Sequence, residues 1–189
     1  KPMPEDLILQ IPYILKVCEA FCVPVISHAG YEADDVIGTL SLKATQQGLD
    51  SVIVTSDKDM LQLVSDHVQV LDTAKDTLLD ARKVVEKMGV NPDQVADLLG
   101  LWGDASDNVP GAPGIGEKGA KELIQTFGSL ESTLQNWDKV KRRTYQESLR
   151  DNAELIRMSR ELVTIHRDLP LELDLQSLVL CKPDRKAAF

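Results

Sequence analysis

The chain has 189 residues and a formal net charge of −9, and 43% of its residues are apolar while 4% are aromatic. That composition supports an ordinary globular core of Leu, Val and Ile, and no apolar run reaches the roughly 18 residues that a membrane span needs, so we expect no membrane partner. The acidic balance argues against a nucleic-acid partner, unless basic side chains are concentrated in one place.

The first part of the chain alternates between predicted helices and predicted strands. Apolar periodicity and β-branched runs place helices at residues 4–21, 31–47 and 59–64, and strands at residues 23–27, 51–55 and 68–71. Pro12 should kink the first helix. Alternation of this kind is typical of a parallel sheet with helices on both faces.

The second part is predicted to be helical. Helices are expected at residues 80–88, 92–102 and 117–127, and helical character continues from residue 129 to residue 166. A loop rich in Gly and Pro precedes the helix at residue 117. The sequence therefore predicts an α/β part at residues 1–77 and an all-helical part at residues 78–189.

Three carboxylates crowd the start of the helix predicted at residue 31, in the stretch E-A-D-D. Glu32 and Asp35 share a helix face, and Asp34 is rotated about 100° from Asp35 and could reach the same point. Acids at a helix N-terminus also offset the helix dipole, by roughly 0.3 to 1 kcal/mol each. On this motif alone, capping and a functional site are equally good interpretations.

Two more acidic clusters follow later in the chain. Asp57 and Asp59 come just after a predicted buried strand, at the edge where open α/β sheets bind ligands. An EF-hand interpretation fails because the required Gly and Glu are absent from the loop positions that need them. Asp104 and Asp107 lie in a loop, where such residues commonly serve turn geometry instead.

Together the clusters offer seven carboxylates at element ends. If these side chains converge, they need a counter-charge, and hard divalent cations prefer oxygen ligands. Two ions, Mg²⁺ or Mn²⁺, about 3.5 to 4 Å apart form a clamp for phosphodiester hydrolysis. His28, His67 and His166 have no ligand spacing, so they do not compete as a metal site.

The stretch from Gly114 to Lys121 contains G-x-G-x-x-G. A dinucleotide fold needs a strand immediately before this pattern, and a Pro-rich loop stands there instead. A turn that feeds a helix N-terminus could bind a phosphate through backbone N–H groups, with Lys118 and Lys121 adding positive charge. A simple tight turn is the alternative. Another basic run consists of Lys139, Lys141, Arg142 and Arg143. A solvated helix face is favoured for it over a further cationic surface.

Four segments carry a resemblance to a known family. They are Y-E-A-D-D-V-I-G-T-L at 31–40, S-D-K-D-M-L-Q-L-V at 56–64, L-W-G-D-A-S-D-N-V-P-G at 101–111 and P-G-I-G-E-K-G-A at 113–120. In this order and spacing they resemble the 5′ nuclease domain of bacterial DNA polymerase I, a member of the flap endonuclease superfamily. The resemblance runs from Pro2 almost to the C-terminus.

The resemblance implies a fold and a set of site residues. The fold is α/β, a partial parallel-sheet 5′ nuclease (PIN-like) core followed by an all-helical part with a helix-three-turn-helix DNA-binding motif. Gly114, Ile115 and Gly116 match the turn of that motif, which grips duplex DNA and often binds a monovalent cation such as K⁺. The positions that match the family's metal ligands are Glu32, Asp34, Asp35, Asp57, Asp59, Asp104 and Asp107.

The resemblance also implies an activity: metal-dependent 5′-3′ exonuclease and flap endonuclease action, which removes RNA primers and displaced 5′ flaps in replication and repair. The implied partners are DNA with a 5′ flap or nick, an RNA primer strand and a covalently linked polymerase region. We expect a monomer in the bacterial cytoplasm, at the nucleoid. The family's preceding segment of roughly a hundred residues, with further metal-binding Asp residues, is absent, so we expect a fragment that alone cleaves poorly or not at all.

Two other functions are compatible with the residues alone. The helical part and the turn at Gly114 could form a non-enzymatic module that binds duplex DNA. An acidic α/β core also occurs in toxin-like ribonucleases, although such compact cores need no duplex clamp. Salt-sensitive binding without hydrolysis would indicate the first, and a preference for single-stranded RNA over flap DNA would indicate the second.

Overall fold

The computed structural model describes residues 3–179. The α-helices of this part are α1 (Glu5–Ala20), α2 (Ala33–Gln46), α3 (Ala81–Met88), α4 (Val95–Trp102), α5 (Glu117–Phe127), α6 (Leu130–Gln135), α7 (Arg143–Asp151) and α8 (Ala153–Val163). The strands are β1 (Ser51–Val54), β2 (Val68–Asp72) and β3 (Thr77–Leu79). Short 3₁₀ helices cover Asp59–Leu63, Pro92–Gln94 and Trp137–Lys139.

The strands form one mixed sheet in the order β1-β2-β3. β1 and β2 are parallel, as predicted, with Ser51 opposite Val68 and Val54 opposite Leu71. β3 is antiparallel to β2, with Val70 opposite Leu79. β3 was not predicted from the sequence, because only three residues separate the turn after β2 from the N-cap of α3.

The strand predicted at residues 23–27 is wrong, since this segment is not paired with any strand of the described residues. Its β-branched side chains favour a strand, but a strand forms only where backbone N–H and C=O groups find a partner. Most predicted helices are confirmed, and α5 has the predicted bounds. The α/β core followed by helices is confirmed, while the division at residues 77 and 78 stays a prediction.

One hydrophobic cluster runs through residues 53–165 and joins the sheet to the helical part. α4 lies at its centre: every residue from Val95 to Leu101 is buried, and the helix packs against α5 and α8. The packing is close, because a Cβ at Gly100 would lie 2.7 Å from Cβ of Arg160. The core therefore fixes α4, and with it the loop that follows, relative to the sheet.

α1 is packed very differently. Its only buried residue is Ala20, and Leu9 and Tyr13 are 69% and 66% exposed. The exposed apolar surface continues into the segment after the helix, through Val25. Among the described residues, no helix combines the length and apolar character that crossing a membrane requires. The described chain thus has a large apolar face that its own residues do not cover.

Candidate metal centre and nucleic-acid interface

The first acidic cluster is held by the start of α2. Glu32 is the N-cap residue, and Asp34 and Asp35 lie in the first turn. Asp35 Oδ2 accepts a hydrogen bond from the Glu32 backbone N–H at 3.3 Å, which is half of a capping arrangement. Asp35 Oδ1 also accepts one from the His166 backbone N–H at 2.8 Å. Asp35 therefore both caps its helix and ties α2 to the segment after α8.

The second cluster follows β1 directly. Asp57 Oδ1 accepts a hydrogen bond from the backbone N–H of Asp59 at 3.0 Å, and Thr55 Oγ1 accepts one from Asp57 N–H at 3.0 Å. These bonds hold the turn that leads into the 3₁₀ helix at Asp59. Asp59 Oδ1 is buried and has no hydrogen-bond partner, and the Lys58 ammonium lies 4.0 Å away.

The third cluster lies in the loop after α4. Asp104 and Val109 form a two-way backbone bridge, with N···O distances of 2.9 and 2.7 Å. Asp104 Oδ1 accepts hydrogen bonds from the backbone N–H and the hydroxyl of Ser106, at 2.8 and 2.5 Å. Turn geometry thus explains part of the role of Asp104, as the alternative interpretation held. Asp107 is exposed at the tip of this loop.

The three clusters come together. A groove of about 750 Å³, which we call the acidic groove, is lined by six of the predicted carboxylates: Glu32, Asp34, Asp35, Asp57, Asp59 and Asp107. Asp104 does not line this groove, but one carboxylate oxygen from each of Asp59, Asp104 and Asp107 lies within 4.8 Å of the others. Side chains from three separate segments therefore share one small volume.

The crowding changes how these carboxyl groups titrate. Burial first, and then the charge of Asp57, raise the pKa of Asp59 to about 6, against the opposing effect of Lys58. Burial also raises the pKa of Asp34, together with the charges of Asp57 and Glu32. Like charges so close disfavour full ionisation, and among the described residues Lys58 is the cation that opposes the pKa shift of Asp59.

Lys58 is the internal counter-charge, and the sequence analysis missed it. Its ammonium donates to Asp104 Oδ2, where the two side chains are 29% and 6% exposed. Although burial acts in the opposite direction, the bonds from Lys58 and Ser106 lower the pKa of Asp104 to about 2. Asp104 is thus a firmly ionised carboxylate beside the protonation-prone Asp59.

Other lining residues come from far along the chain. Glu161 in α8 and His166 just after that helix line the acidic groove, and the sequence analysis missed both. No local pattern marks them, since their place depends on the packing of α8 against α4. The other histidines lie elsewhere: His67 Nδ1 is 2.9 Å from Asp50, and His28 packs on Tyr31 with ring centroids 5.4 Å apart.

The donor set fits hard divalent cations. It consists of carboxylate oxygens without Cys. Two buried carboxylate oxygens of the described residues lack a hydrogen-bond partner, and one of them, Asp59 Oδ1, belongs to the three-carboxylate cluster, whereas the other, Asp72 Oδ1, lies outside the groove. A buried acceptor without a partner normally costs about 1 to 3 kcal/mol, so its presence calls for an explanation. A bound cation would supply the missing partner.

The glycine turn lies in another part of the helical region. Gly114 has a φ of +78°, which side chains rarely adopt, and Gly116 is the N-cap of α5 without a side-chain cap. Nothing lies within 4 Å of a Cβ built at Gly114 or Gly116, whereas Ile115 between them is buried. The turn is therefore anchored by Ile115 and open to solvent at both glycines.

The predicted lysines of this turn are not equivalent. Lys118 is exposed, whereas Lys121 is half-buried and its Nζ lies 2.6 Å from Glu117 Oε1. The basic run at residues 139–143 is not a helix face, because only Arg143 belongs to α7. Residues 139–142 form the end of a 3₁₀ helix and the approach to α7. The interpretation as a solvated helix face was wrong because the run precedes its helix.

Comparison with known proteins supports one family. The family model for the 5′-3′ exonuclease N-terminal resolvase-like domain matches residues 1–89, and the model for the 5′-3′ exonuclease C-terminal SAM fold matches residues 90–186. DNA polymerase I of Chloroflexus aurantiacus is 46% identical over 98% of this chain, which spans only 20% of that relative. A 5′-3′ exonuclease of Aquifex aeolicus is 39% identical over 96% of this chain and 61% of its own length.

Solved structures support the same fold. The bacteriophage T5 flap endonuclease, solved as a pseudo-enzyme–product complex with DNA and metal ions, matches with a TM-score of 0.73. The match covers 86% of this chain and 62% of that protein at 21% identity, which is a likeness of fold. With both family models spanning nearly all of its length, the chain belongs to the 5′-3′ exonuclease family.

Proposed function

We propose that this chain is part of a structure-specific 5′-3′ exonuclease and flap endonuclease that hydrolyses DNA phosphodiesters with two divalent metal ions. The observation that carries the proposal is the acidic groove, where carboxylates from α2, the end of β1 and the loop after α4 meet around the unpartnered Asp59 oxygen. Helix capping and turn formation explain single members of this set, but not their convergence.

The metal ligands we propose are the seven carboxylates predicted from the sequence: Glu32, Asp34, Asp35, Asp57, Asp59, Asp104 and Asp107. Divalent ions held there would be Mg²⁺ or Mn²⁺, and they would supply an activated water and charge stabilisation for the leaving oxygen. The carboxylates themselves act as ionised ligands that position the metal ions, and they do not transfer protons. Lys58 keeps Asp104 ionised, and the 3.0 Å bond from Asp59 N–H fixes Asp57.

The proposed DNA contacts are Gly114, Ile115, Gly116, Lys118 and Lys121. The support is the open turn at the N-terminus of α5, where backbone N–H groups and the helix dipole favour a phosphate. The T5 flap endonuclease was solved with DNA and metal ions, which is consistent with one region that binds metal and another that binds DNA. The monovalent cation predicted at the turn stays a prediction.

The biological setting of the proposal follows from the relatives, which are much longer than this chain. We propose that the chain works as a monomer in the bacterial cytoplasm, within a DNA polymerase I, on DNA with a 5′ flap or nick or on a primer strand. The division into a nuclease core at residues 1–77 and a DNA-binding part at residues 78–189 is retained as part of the proposal.

Metal binding by the chain tests the proposal most directly. Mn²⁺ titration followed by electron paramagnetic resonance should show binding to the unaltered chain, and Asp59→Asn should weaken it about tenfold or more, since such a change removes a charged ligand. Asp66→Asn is the matched control, because Asp66 is an exposed carboxylate outside the acidic groove. Equal Mn²⁺ affinity in all three proteins would overturn the proposed centre.

Substrate choice distinguishes the proposal from its alternatives. The complete protein should cleave 5′-flap DNA with Mg²⁺ and leave single-stranded RNA largely intact. Salt-sensitive duplex binding without cleavage by the complete protein would indicate a non-enzymatic binding module instead. Preferential cleavage of single-stranded RNA would indicate a ribonuclease.

A further inference from the structure

A second groove lies beside the glycine turn and shares no lining residue with the acidic groove. Its volume is about 730 Å³, and we call it the basic groove. One wall is the first turn of α5, from Gly116 to Gly119, and the other is the segment 139–142 before α7. Buried Leu123 and Val140 also line it.

The charge of this groove opposes that of the whole chain. Four cationic side chains line it, all of them on exposed residues: Lys118, Lys139, Lys141 and Arg142. Two carboxylates also line it, Glu117 and Glu122, which leaves an excess of two positive charges. Glu117 is moreover paired with Lys121, which lies outside the lining. Although the chain has a net charge of −9, this groove concentrates positive charge in one place, as the binding of an anionic polymer requires.

Two of the four cationic side chains, Arg142 and Lys139, are held in place by neutral partners. The Arg142 guanidinium lies over the Tyr145 ring, 4.6 Å from its centroid, and Nη1 donates to Tyr145 Oη at 2.8 Å. Lys139 Nζ donates to Asn136 Oδ1 at 2.6 Å. Neither bond cancels a positive charge, so both side chains are oriented and yet remain available to an anion.

Gly119 explains how the Tyr145 ring reaches this position. A Cβ at residue 119 would lie 2.5 Å from Tyr145 Oη and 2.8 Å from its Cε2. The last glycine of G-x-G-x-x-G is therefore required for packing against Tyr145, which in turn supports Arg142. The motif thus builds the open turn with its first two glycines and the basic groove with its third.

We propose that the basic groove binds the sugar–phosphate backbone of duplex DNA, as a continuation of the contact made by the glycine turn; this inference rests on the proposed function. Gly116 and Lys118 belong to the shared wall, so one backbone strand can follow the α5 N-terminus into the groove. Lys139, Lys141 and Arg142 contact phosphates there, and Tyr145 is a positioning residue for Arg142. The contact reads charge and not base sequence.

Fluorescence anisotropy of a labelled duplex, measured against salt concentration with the 189-residue chain, tests the inference. The double variant Lys139→Ala/Lys141→Ala should lower affinity about tenfold and flatten the plot of log K against log[salt] by about two units, equally for two unrelated sequences. Lys75→Ala/Arg82→Ala removes the same charge outside both grooves and should leave the slope unchanged.

A conservative variant separates positioning from charge. Tyr145→Phe keeps the ring and the net charge but removes the hydroxyl that accepts from Arg142, so affinity should fall about two- to fivefold, as expected for one lost hydrogen bond. Combined with Arg142→Ala, the Tyr145→Phe change should have no additional effect. Circular dichroism checks that each variant is folded.

Unchanged affinity and salt slope in Lys139→Ala/Lys141→Ala, with binding by the unaltered chain, would overturn this inference alone. Equal losses in the control double variant would also overturn it, because the effect would then be one of net charge. The proposed nuclease fails separately, through absence of Mn²⁺ binding in the acidic groove.

Discussion

The acidic groove and the basic groove both concentrate charge of one sign, but their charged side chains have different partners. In the acidic groove the carboxylates face one another, Lys58 donates its hydrogen bond to the adjacent Asp104, and Asp59 retains an unpartnered oxygen. In the basic groove two of the cations, Arg142 and Lys139, bond to neutral partners, Tyr145 and Asn136. The acidic groove is electrostatically unfavourable until cations bind there, whereas the paired side chains of the basic groove are stable without a bound ion. This difference predicts which groove controls chemistry and which controls affinity.

The largest expected effect is on cleavage. In the complete protein, Asp59→Ala should lower the cleavage rate at least about 10³-fold, equivalent to roughly 4 kcal/mol, because a metal ligand stabilises charge in the transition state. DNA affinity should be largely preserved. Single-turnover cleavage of 5′-flap DNA with Mg²⁺, at saturating enzyme, measures this. Lys139→Ala should show the reverse pattern, with weaker DNA binding and intact cleavage at saturating enzyme. Lost binding with intact cleavage in Asp59→Ala would reverse the assignment of the two grooves.

The next largest effect is on stability through Asp104. Asp104→Asn should lower the free energy of unfolding by about 1 to 3 kcal/mol at pH 7, since it leaves Lys58 without its charged partner. The folded pKa of about 2 lies below the ordinary aspartate value of 3.8, so the stabilisation is present above about pH 4 and is lost as the pH falls towards 2. Urea unfolding in EDTA between pH 2 and 7 measures it, with Asp66→Asn as control.

A smaller effect of opposite sign is expected at Asp59. Its folded pKa of about 6 lies above the ordinary aspartate value of 3.8, so ionisation opposes folding, and stability is lost as the pH rises through 6. In EDTA, Asp59→Asn should stabilise the chain by about 1 to 2 kcal/mol at pH 7.5, allowing for screening by water in the open groove. The gain should vanish below about pH 4. Destabilisation at pH 7.5 would show that the groove is relaxed without metal.

The smallest effect concerns single lysines of the turn. Lys118→Ala should weaken duplex binding a few-fold and reduce the salt slope by about one unit, because one phosphate contact is lost. Lys121→Ala should change the slope less, since Glu117 already neutralises that ammonium at 2.6 Å. Equal slopes for Lys118→Ala and the unaltered chain would remove Lys118 from the proposed contact.

The sequence allowed the acidic groove to be predicted because each cluster has a local signal. Asp57 and Asp59 follow a strand, Glu32 to Asp35 open a helix, and Asp104 follows α4. Convergence followed from the edge at which strands of an α/β sheet end. The place of Glu161 and the pairing of Lys58 with Asp104 depend on long-range packing, which has no local pattern.

The errors have the same physical origin. Residues 23–27 have strand-forming side chains, but strand formation depends on a pairing partner elsewhere. The basic run at residues 139–143 has helical neighbours, but its contribution to a groove depends on where α7 begins relative to α5. Local propensity predicted the elements well, and the surfaces made between elements much less well.

The contact between Gly119 and Tyr145 has a consequence for how this family can vary. The ring occupies the space that any side chain at residue 119 would need. Substitutions at the two positions are therefore coupled, and a larger residue at 119 should be tolerated only in relatives that carry a smaller one at 145. We therefore expect positions 119 and 145 to covary among sequences of the family, because both side chains compete for the same space beside the basic groove.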